Sequence, residues 1–408
     1  MSEPLSRDAK TLIFTRAIRG FVDGIAFVVL PAHLSHLGFS ATQVGAVVAA
    51  SLLGSAGLTL GAGLLSRRLP AHTLLTGASW IMLITGVSLG FTTAFVPILL
   101  ISVVSTLNPS AGDVSPFLPI EQALLSNAVS DNNRTALFAR YNLVGSLVGA
   151  LGALCAGVPV FLARSLGATD QTGRQSSFVF YGLAGIVVLI AYRRLPRITR
   201  TDTKASRQPL SVDSRAVVFR LAALFSLDSF GGGFATQAIF ALWVFGRFGL
   251  SMETLGAVFF ATGIISAFSS LLSVRISQRI GLVRTMVFTH IPASILLILV
   301  ALSPNVGVAM ALFILRSLLS QMDVPVRTSY VMAVVSPDER AAAASITNVP
   351  RSLASALPPL AAGWMLDQSR FGWPLIICAV CKLIYDVLLL NMFQHVVPPH
   401  ESAPHETR

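Results

Sequence analysis

Two stretches of this chain occur twice, separated by about half of its 408 residues. Gly38-Phe39-Ser40-Ala41-Thr42-Gln43-Val44-Gly45-Ala46-Val47 returns as Gly249-Leu250-Ser251-Met252-Glu253-Thr254-Leu255-Gly256-Ala257-Val258, an offset of 211 residues. Val129-Ser130-Asp131-Asn132-Asn133-Arg134 returns as Val335-Ser336-Pro337-Asp338-Glu339-Arg340, an offset of 206. A period this long excludes short solenoid repeats and predicts two homologous halves placed side by side. The correspondence continues through Asn142, Ser146, Leu147, Ala150, Leu151, Leu154, Ala156 and Gly157, which match Asn348, Ser352, Leu353, Ala356, Leu357, Leu360, Ala362 and Gly363. Pro119 and Pro325 share the second offset, so two equivalent helices are expected to kink at the same depth.

Hydrophobic residues make up 54% of the chain and charged residues 12%, against about 25% charged in a soluble domain. The chain therefore reads as an all-α membrane protein. Twelve apolar stretches approach the roughly 20 residues needed to span a bilayer as a helix. They lie near 11–31, 42–63, 73–92, 95–126, 135–162, 177–194, 216–245, 252–274, 285–302, 305–334, 341–366 and 372–396. The first lacks a short apolar core followed by a small-residue cleavage site, so it is expected to be a retained helix. Cys155, Cys378 and Cys381 all fall inside apolar stretches, which leaves no disulfide framework and no metal site to expect. Cys378 and Cys381 have redox-motif spacing but read as small packing residues.

The net charge of +11 follows topology. With the N-terminus in the cytosol, the cytosolic connections hold most basic residues, among them Arg67, Arg68, Arg193, Arg194, Arg197 and Arg200, whereas the opposite side holds Arg164, Arg174, Arg247 and Arg370. That asymmetry puts both termini inside, with attraction to anionic lipid head groups as a by-product; no nucleic-acid partner is expected. The polar stretch around 195–215 falls midway between the copies. The expected organisation is an N-terminal six-helix bundle over 1–194, a cytosolic linker over 195–215, a C-terminal six-helix bundle over 216–396 and a cytosolic tail over 397–408. An even number of helices between Gly38 and Gly249 keeps both on one side of the membrane, as six per half requires.

Twelve helices in two parallel six-helix pseudo-repeats, joined by a basic central loop, resemble the major facilitator superfamily of secondary transporters over essentially the whole chain. That family's signature between helices two and three is a Gly, an acid four positions on, then Arg and a basic cluster. Gly63-Leu64-Leu65-Ser66-Arg67-Arg68 keeps the Gly and the Arg but sets Arg67 where the acid belongs, and Ser277-Gln278-Arg279-Ile280-Gly281 also lacks it. On helix five, Gly145, Gly149, Gly152 and Gly157 give spacing for close helix approach, while the Gly-Pro pair of the antiporter signature reads Gly149-Ala150. The resemblance implies a central cavity lined by helices one, four, seven and ten.

Each ionisable group at a helix centre costs about 2.5–3.5 kcal/mol on insertion scales. Those away from the helix ends are Asp23 in helix one, Asp113 and Glu121 in helix four, Asp228 in helix seven, and Arg316, Asp323 and Arg327 in helix ten. Asp23 and Asp228 are equivalent by the repeat, and these two with Asp113 and Glu121 are the proton-coupling candidates. Carrying one proton across about 150 mV yields roughly 3.5 kcal/mol. The alternative is structural: Arg19 and Asp23, one turn apart, can pair. Arg316, Asp323 and Arg327 share a face of helix ten, and Arg316 offers a planar fork for a carboxylate or phosphate-like group. Arg327 corresponds to Glu121, an exchange of sign that suggests ion pairs between elements. Arg19, Asn108, Gln122 and Gln237 could complete a polar pocket. Three glycines after Asp228, Gly231 to Gly233, either permit close packing or interrupt helix seven. Lys382 and Asp386, four apart on helix twelve, read as a self-contained salt bridge.

No nucleophile elbow, phosphate loop or metal-ligand spacing appears, so no enzyme activity, cofactor or metal is expected. The expectation is a monomeric, multi-pass transporter of the plasma (bacterial inner) membrane. It would move a small organic solute by alternating access, through proton-coupled export. Proton-coupled uptake of a nutrient or vitamin is the alternative, and a non-transporting receptor a more distant one.

Overall fold

A computed structural model describes residues 6–66, 68–109, 115–127, 131–195, 211–336 and 339–394. Among them every regular element is helical, and the elements follow the twelve apolar stretches in order. Seven spans are single helices: α1 (Arg7–His36), α2 (Ala41–Leu65), α3 (Ala71–Phe91), α8 (Asp170–Arg193), α11 (Met252–Ile280), α12 (Leu282–Leu302) and α17 (Trp373–Phe393). The other five are built from two helices each. They are α4 (Phe95–Val103) with α5 (Phe117–Asn127), α6 (Asp131–Leu154) with α7 (Val158–Ser165), and α9 (Val212–Gly233) with α10 (Gln237–Phe248). The remaining pairs are α13 (Val306–Ser317) with α14 (Asp323–Ala333), and α15 (Arg340–Ala356) with α16 (Pro358–Gln368). Among the described residues, eight helical stretches are long and apolar enough, by length and composition, to cross a membrane.

The two equivalent prolines mark breaks, not kinks. Pro119 and Pro325 each stand third in the helix they occupy, α5 and α14. A proline there gives up no intrahelical N–H bond and does not meet a preceding turn, so it favours a helix start over a continuous bent rod. In span seven both readings of the glycine run hold. α9 ends at Gly233, and Thr236 caps α10 by accepting from the Ile239 N–H. A Cβ at Gly231 would meet the Cys381 side chain and the Cys378 carbonyl, and one at Gly233 would meet the Ser355 carbonyl and Pro358.

Contacts group the chain into two compact units. The first comprises Met1–Thr201, Thr236–Ile264 and Pro359–Arg370; the second comprises Asp202–Ala235, Ile265–Pro358 and Phe371–Arg408. The first thus takes in two segments from the second half of the sequence. Residues 196–210 of the expected linker, the expected tail 397–408 and Arg67 lie outside the described residues.

In the first unit, glycines let α1 and α6 touch backbone to backbone. A Cβ at Gly20 would meet the Gly145 carbonyl, one at Gly24 the Gly149 carbonyl, and one at Gly152 the Phe21 carbonyl, the close approach that small residues permit in a membrane. Leu12, Leu75, Phe117, Tyr141, Val188 and Tyr192 fill the adjoining core. The second unit is centred on Val218, Phe225, Val287, Tyr330, Tyr385 and Leu389.

Beyond the spans of the second unit, Glu339 ties the start of α9 to the start of α15. Its carboxylate accepts from the Ser211 N–H, the Ser214 hydroxyl at 2.8 Å, and the Ser336 N–H and hydroxyl at 3.2 and 2.9 Å. The Ser211 N–H above all, then the Ser214 hydroxyl, hold its carboxyl down to about 2 from an ordinary value of 4.5. A depressed acid stabilises the fold fully above its unfolded value, and that contribution is lost as pH falls through the folded one. Glu339→Gln is therefore expected to lower the thermal midpoint at pH 7 by a few degrees, with the gap from the parent narrowing below about pH 4.5 and closing near pH 2. Thermal melts across that range measure it.

Candidate functional site

The second unit gathers membrane-embedded charges around one carboxylate. Asp228, on α9, is 5% exposed. Its Oδ1 accepts from Lys382 Nζ of α17 at 2.6 Å and its Oδ2 from Arg327 Nη1 of α14 at 3.1 Å. Local sequence makes this possible, because Gly231, one turn on from Asp228, lets α17 approach α9 against Cys378 and Cys381. The cysteines serve as packing residues there. Arg327 also lies 3.3 Å from Asp323 one turn back on the same helix, and its guanidinium sits over the Phe225 ring at 5.5 Å.

His290, 3% exposed on α12, joins the network from another side. Its Nδ1 is 3.0 Å from Asp386 Oδ1, while its Nε2 is 3.4 Å from Lys382 Nζ and 3.9 Å from Asp228 Oδ1. With Nδ1 protonated and donating to Asp386, Nε2 accepts from the Lys382 ammonium. The expected Lys382–Asp386 salt bridge is corrected accordingly: Lys382 bonds Asp228, and Asp386 bonds His290. Two neighbouring spans offer a half-buried Lys and a buried Asp better partners than one turn of a single helix does, since a desolvated charge needs close counter-groups.

Beside this network the second unit has a cleft lined by Phe225, Arg327, Thr328, Val331, Met332, Ala344, Thr347, Asn348 and Arg351. Arg351, on α15, donates from Nε to the Ser229 hydroxyl at 2.8 Å.

The first unit holds the counterpart with signs reversed. Glu121 of α5, fully buried, pairs with Arg19 of α1 and accepts from the hydroxyls of Tyr141, Tyr192 and, at 2.9 Å, Thr15. Arg19 also lies over the Phe117 ring at 4.2 Å. Spans one and four are thus bridged by Arg19–Glu121, and spans seven and ten by Asp228–Arg327. The exchange of sign between Glu121 and Arg327 is carried by ion pairs within each half.

Of the other sequence candidates, Asp23 is half-buried on α1, one turn beyond Arg19. Gln122 is half-buried beside Glu121. Asn108 is buried in the irregular stretch after α4 and Gln237 opens α10; the Ala238 N–H donates to the Pro109 carbonyl at 3.3 Å, bringing their neighbourhoods together. Arg316 lies in the last turn of α13, with its Nε sealed from solvent and unpartnered among the described residues. Asp113 lies outside the described residues. Sequence reasoning missed His290 and Arg351. Both stood in apolar spans, where the cost of insertion would have singled them out.

A seam at the Gly38 and Gly249 end belongs to the first unit. A Cβ at Gly45 would meet the Pro359 carbonyl, and one at Gly256 the Ala153 carbonyl. Gly45 and Gly256 are equivalent by the offset of 211, and Ala153 and Pro359 by that of 206, so the seam is a symmetric pair of crossings between the sequence halves. Asp367, at the end of α16, fixes one crossing by accepting from the Ala41 and Thr42 N–H groups at 2.7 and 2.8 Å, at the first turn of α2. A carboxylate there meets unpaired N–H groups and the positive end of the helix dipole.

Twelve spans in two related halves, with charges buried in each, define a multi-pass membrane transporter. The sequence profile of the Major Facilitator Superfamily matches residues 12–245 and 222–408. The chain belongs to that superfamily. It is 25% identical over 426 aligned positions to the uncharacterized membrane protein YJR124C of Saccharomyces cerevisiae, covering 95% of this chain and 94% of the yeast protein. Its fold is that of a bacterial homolog of the human lysosomal transporter Spinster, with TM-score 0.71, 15% identity and 96% of each chain covered. It is equally that of the nucleoside transporter NupG, with TM-score 0.72, 16% identity and 96% and 100% covered. The xylose transporter XylE from E. coli gives TM-score 0.74 at 12% identity, with 94% and 96% covered.

Removing one partner of a buried ion pair strands the other, at a cost of about 3–5 kcal/mol. Lys382→Met leaves Asp228 paired with Arg327, so it is expected to destabilise the protein by less than that full cost, and Lys382→Met with Asp228→Asn to recover part of the loss. Thermal unfolding of the two single variants and the double variant gives the coupling.

Proposed function

We propose that this superfamily member is a proton-coupled secondary transporter of a small organic solute, working by alternating access, and that the Asp228 network is its coupling group. The observation that carries the reading is a single buried carboxylate shared by two cations from different spans, Lys382 of α17 and Arg327 of α14. A proton on Asp228 releases both cations at once, so loading it changes the bonds between three spans. His290, bonded to Asp386 and 3.9 Å from Asp228, is placed to pass the proton. The groups facing Asp228 are Lys382, Asp386 and Tyr385 of α17, His290 of α12, Arg327 and Asp323 of α14 and Arg351 of α15.

Glu121 and Arg19 act as a brace in this reading, since four donors already hold the carboxylate. Alternating access is supported by the paired crossings at Gly45 and Gly256, which press parts of both sequence halves together at one end. Breaks at Pro119, Pro325 and Thr236 supply joints near the buried charges. With the basic loops placed in the cytosol, the seam lies at the outer end. Export requires solute and proton to compete, and uptake requires them to bind together.

In liposomes carrying an imposed pH gradient, the parent is expected to concentrate solute. Asp228→Asn is expected to lose that accumulation while solute counterflow persists. Accumulation by the variant equal to that of the parent would remove Asp228 from the coupling role.

A further inference from the structure

We propose that the transported solute is a small organic monoanion, held by Arg351 and Arg327 in the cleft of the second unit and bound together with a proton on Asp228. The proposal deepens the transporter reading and rests on it.

Charge points to an anion. Around the network and the cleft, Arg327, Arg351 and Lys382 stand with Asp228, Asp323 and Asp386. The cleft lining itself includes two arginines and no carboxylate. Arg327 is already committed to Asp228 and Asp323. Arg351 is not: its Nε binds a neutral hydroxyl, Ser229, and among the described residues it makes no ion pair. A guanidinium in an apolar span without a counter-ion is costly to keep, and its planar donor fork matches a carboxylate.

The remaining lining narrows the class. Phe225, Val331 and Met332 form an apolar wall. The Thr328 and Thr347 hydroxyls are spent on their own helices, donating to the Val324 and Ala343 carbonyls. The Asn348 amide is left as the neutral donor beside Arg351. The cleft encloses about 30 Å³, room for one acidic group against the apolar wall but not for the several hydroxyls of a sugar.

The sign of coupling follows from Arg327, which touches both the cleft and Asp228. An anion that draws Arg327 toward the cleft leaves Asp228 with one cation fewer, and a proton takes its place. By reciprocity, a proton on Asp228 frees Arg327 for the anion. Anion and proton therefore travel together, which makes uptake, not export, the direction that an inward proton gradient drives.

The test is calorimetric binding of a panel of monocarboxylates from acetate to benzoate, each against its neutral amide, to the full-length protein in detergent. At least one acid is expected to bind while its amide does not. Its affinity is expected to rise up to about tenfold per pH unit from about pH 8 to about pH 6, with proton uptake shown by buffers of different ionisation enthalpy. Arg351→Gln should weaken that acid at least about tenfold, and Asp228→Asn should abolish the proton uptake. Equal binding of acid and amide, or no binding across the panel, overturns the anion site; anion binding that releases protons overturns the sign. Should Arg351→Gln fail to fold, the acid-versus-amide difference and the pH slope of the parent decide alone. If liposomes show no gradient-driven flux while Arg351-dependent anion binding stands, the transporter reading falls and the anion site survives.

Discussion

Asp228 is one buried carboxylate answering two cations from different spans. Lys382 depends on it for its ion pair, Arg327 shares it with Asp323, and no other carboxylate bonds both cations among the described residues. The glycine run that follows it, the approach of α17 and the break before α14 all serve to bring those groups together. Because the pairs bridge spans seven, ten and twelve, a change of charge at Asp228 is a change in how those spans are tied. Under the proposed function, stability and coupling are two readings of the same bonds.

The first unit solves the same problem with opposite signs and a different outcome. Arg19 and Glu121 bridge spans one and four as Asp228 and Arg327 bridge seven and ten, but Tyr141, Tyr192 and Thr15 saturate the Glu121 carboxylate. A carboxylate with all its acceptor sites filled from fixed partners is a brace. One held mainly by two long cationic side chains can exchange them. The two related halves thus hold their buried carboxylates in different ways, one by four fixed donors and the other mainly by two cations.

Much of this was legible in the chain. The repeat at Gly38 and Gly249 encodes helix ends: both glycines take positive φ, 83° and 63°, and the serines two residues on cap α2 and α11. The partner glycines Gly45 and Gly256 are the seam crossings. The equivalence of Pro119 and Pro325 marked two equivalent irregularities, expected as kinks and found as breaks, and charge in apolar spans located Asp228, Asp323 and Arg327. What stayed hidden was partnership across spans. Lys382 and Asp386 sit one turn apart, so helical spacing pairs them; only packing of α9 and α12 on α17 shows that each faces elsewhere. Arg351 follows Pro350 in a span read chiefly for its match to helix five, and its role depends on a cleft shared by three helices. Hydropathy orders helices along the chain but does not rotate them about their axes.

The most direct measurement is infrared difference spectroscopy of the purified protein as a monocarboxylate identified by the binding panel is added near neutral pH. The expected result is the appearance of one carboxylic-acid C=O stretch, from a buried carboxylate gaining a proton, that is absent in Asp228→Asn. Binding of the acid with no such band, or with a band that persists in Asp228→Asn, would contradict a proton and an anion meeting through Asp228.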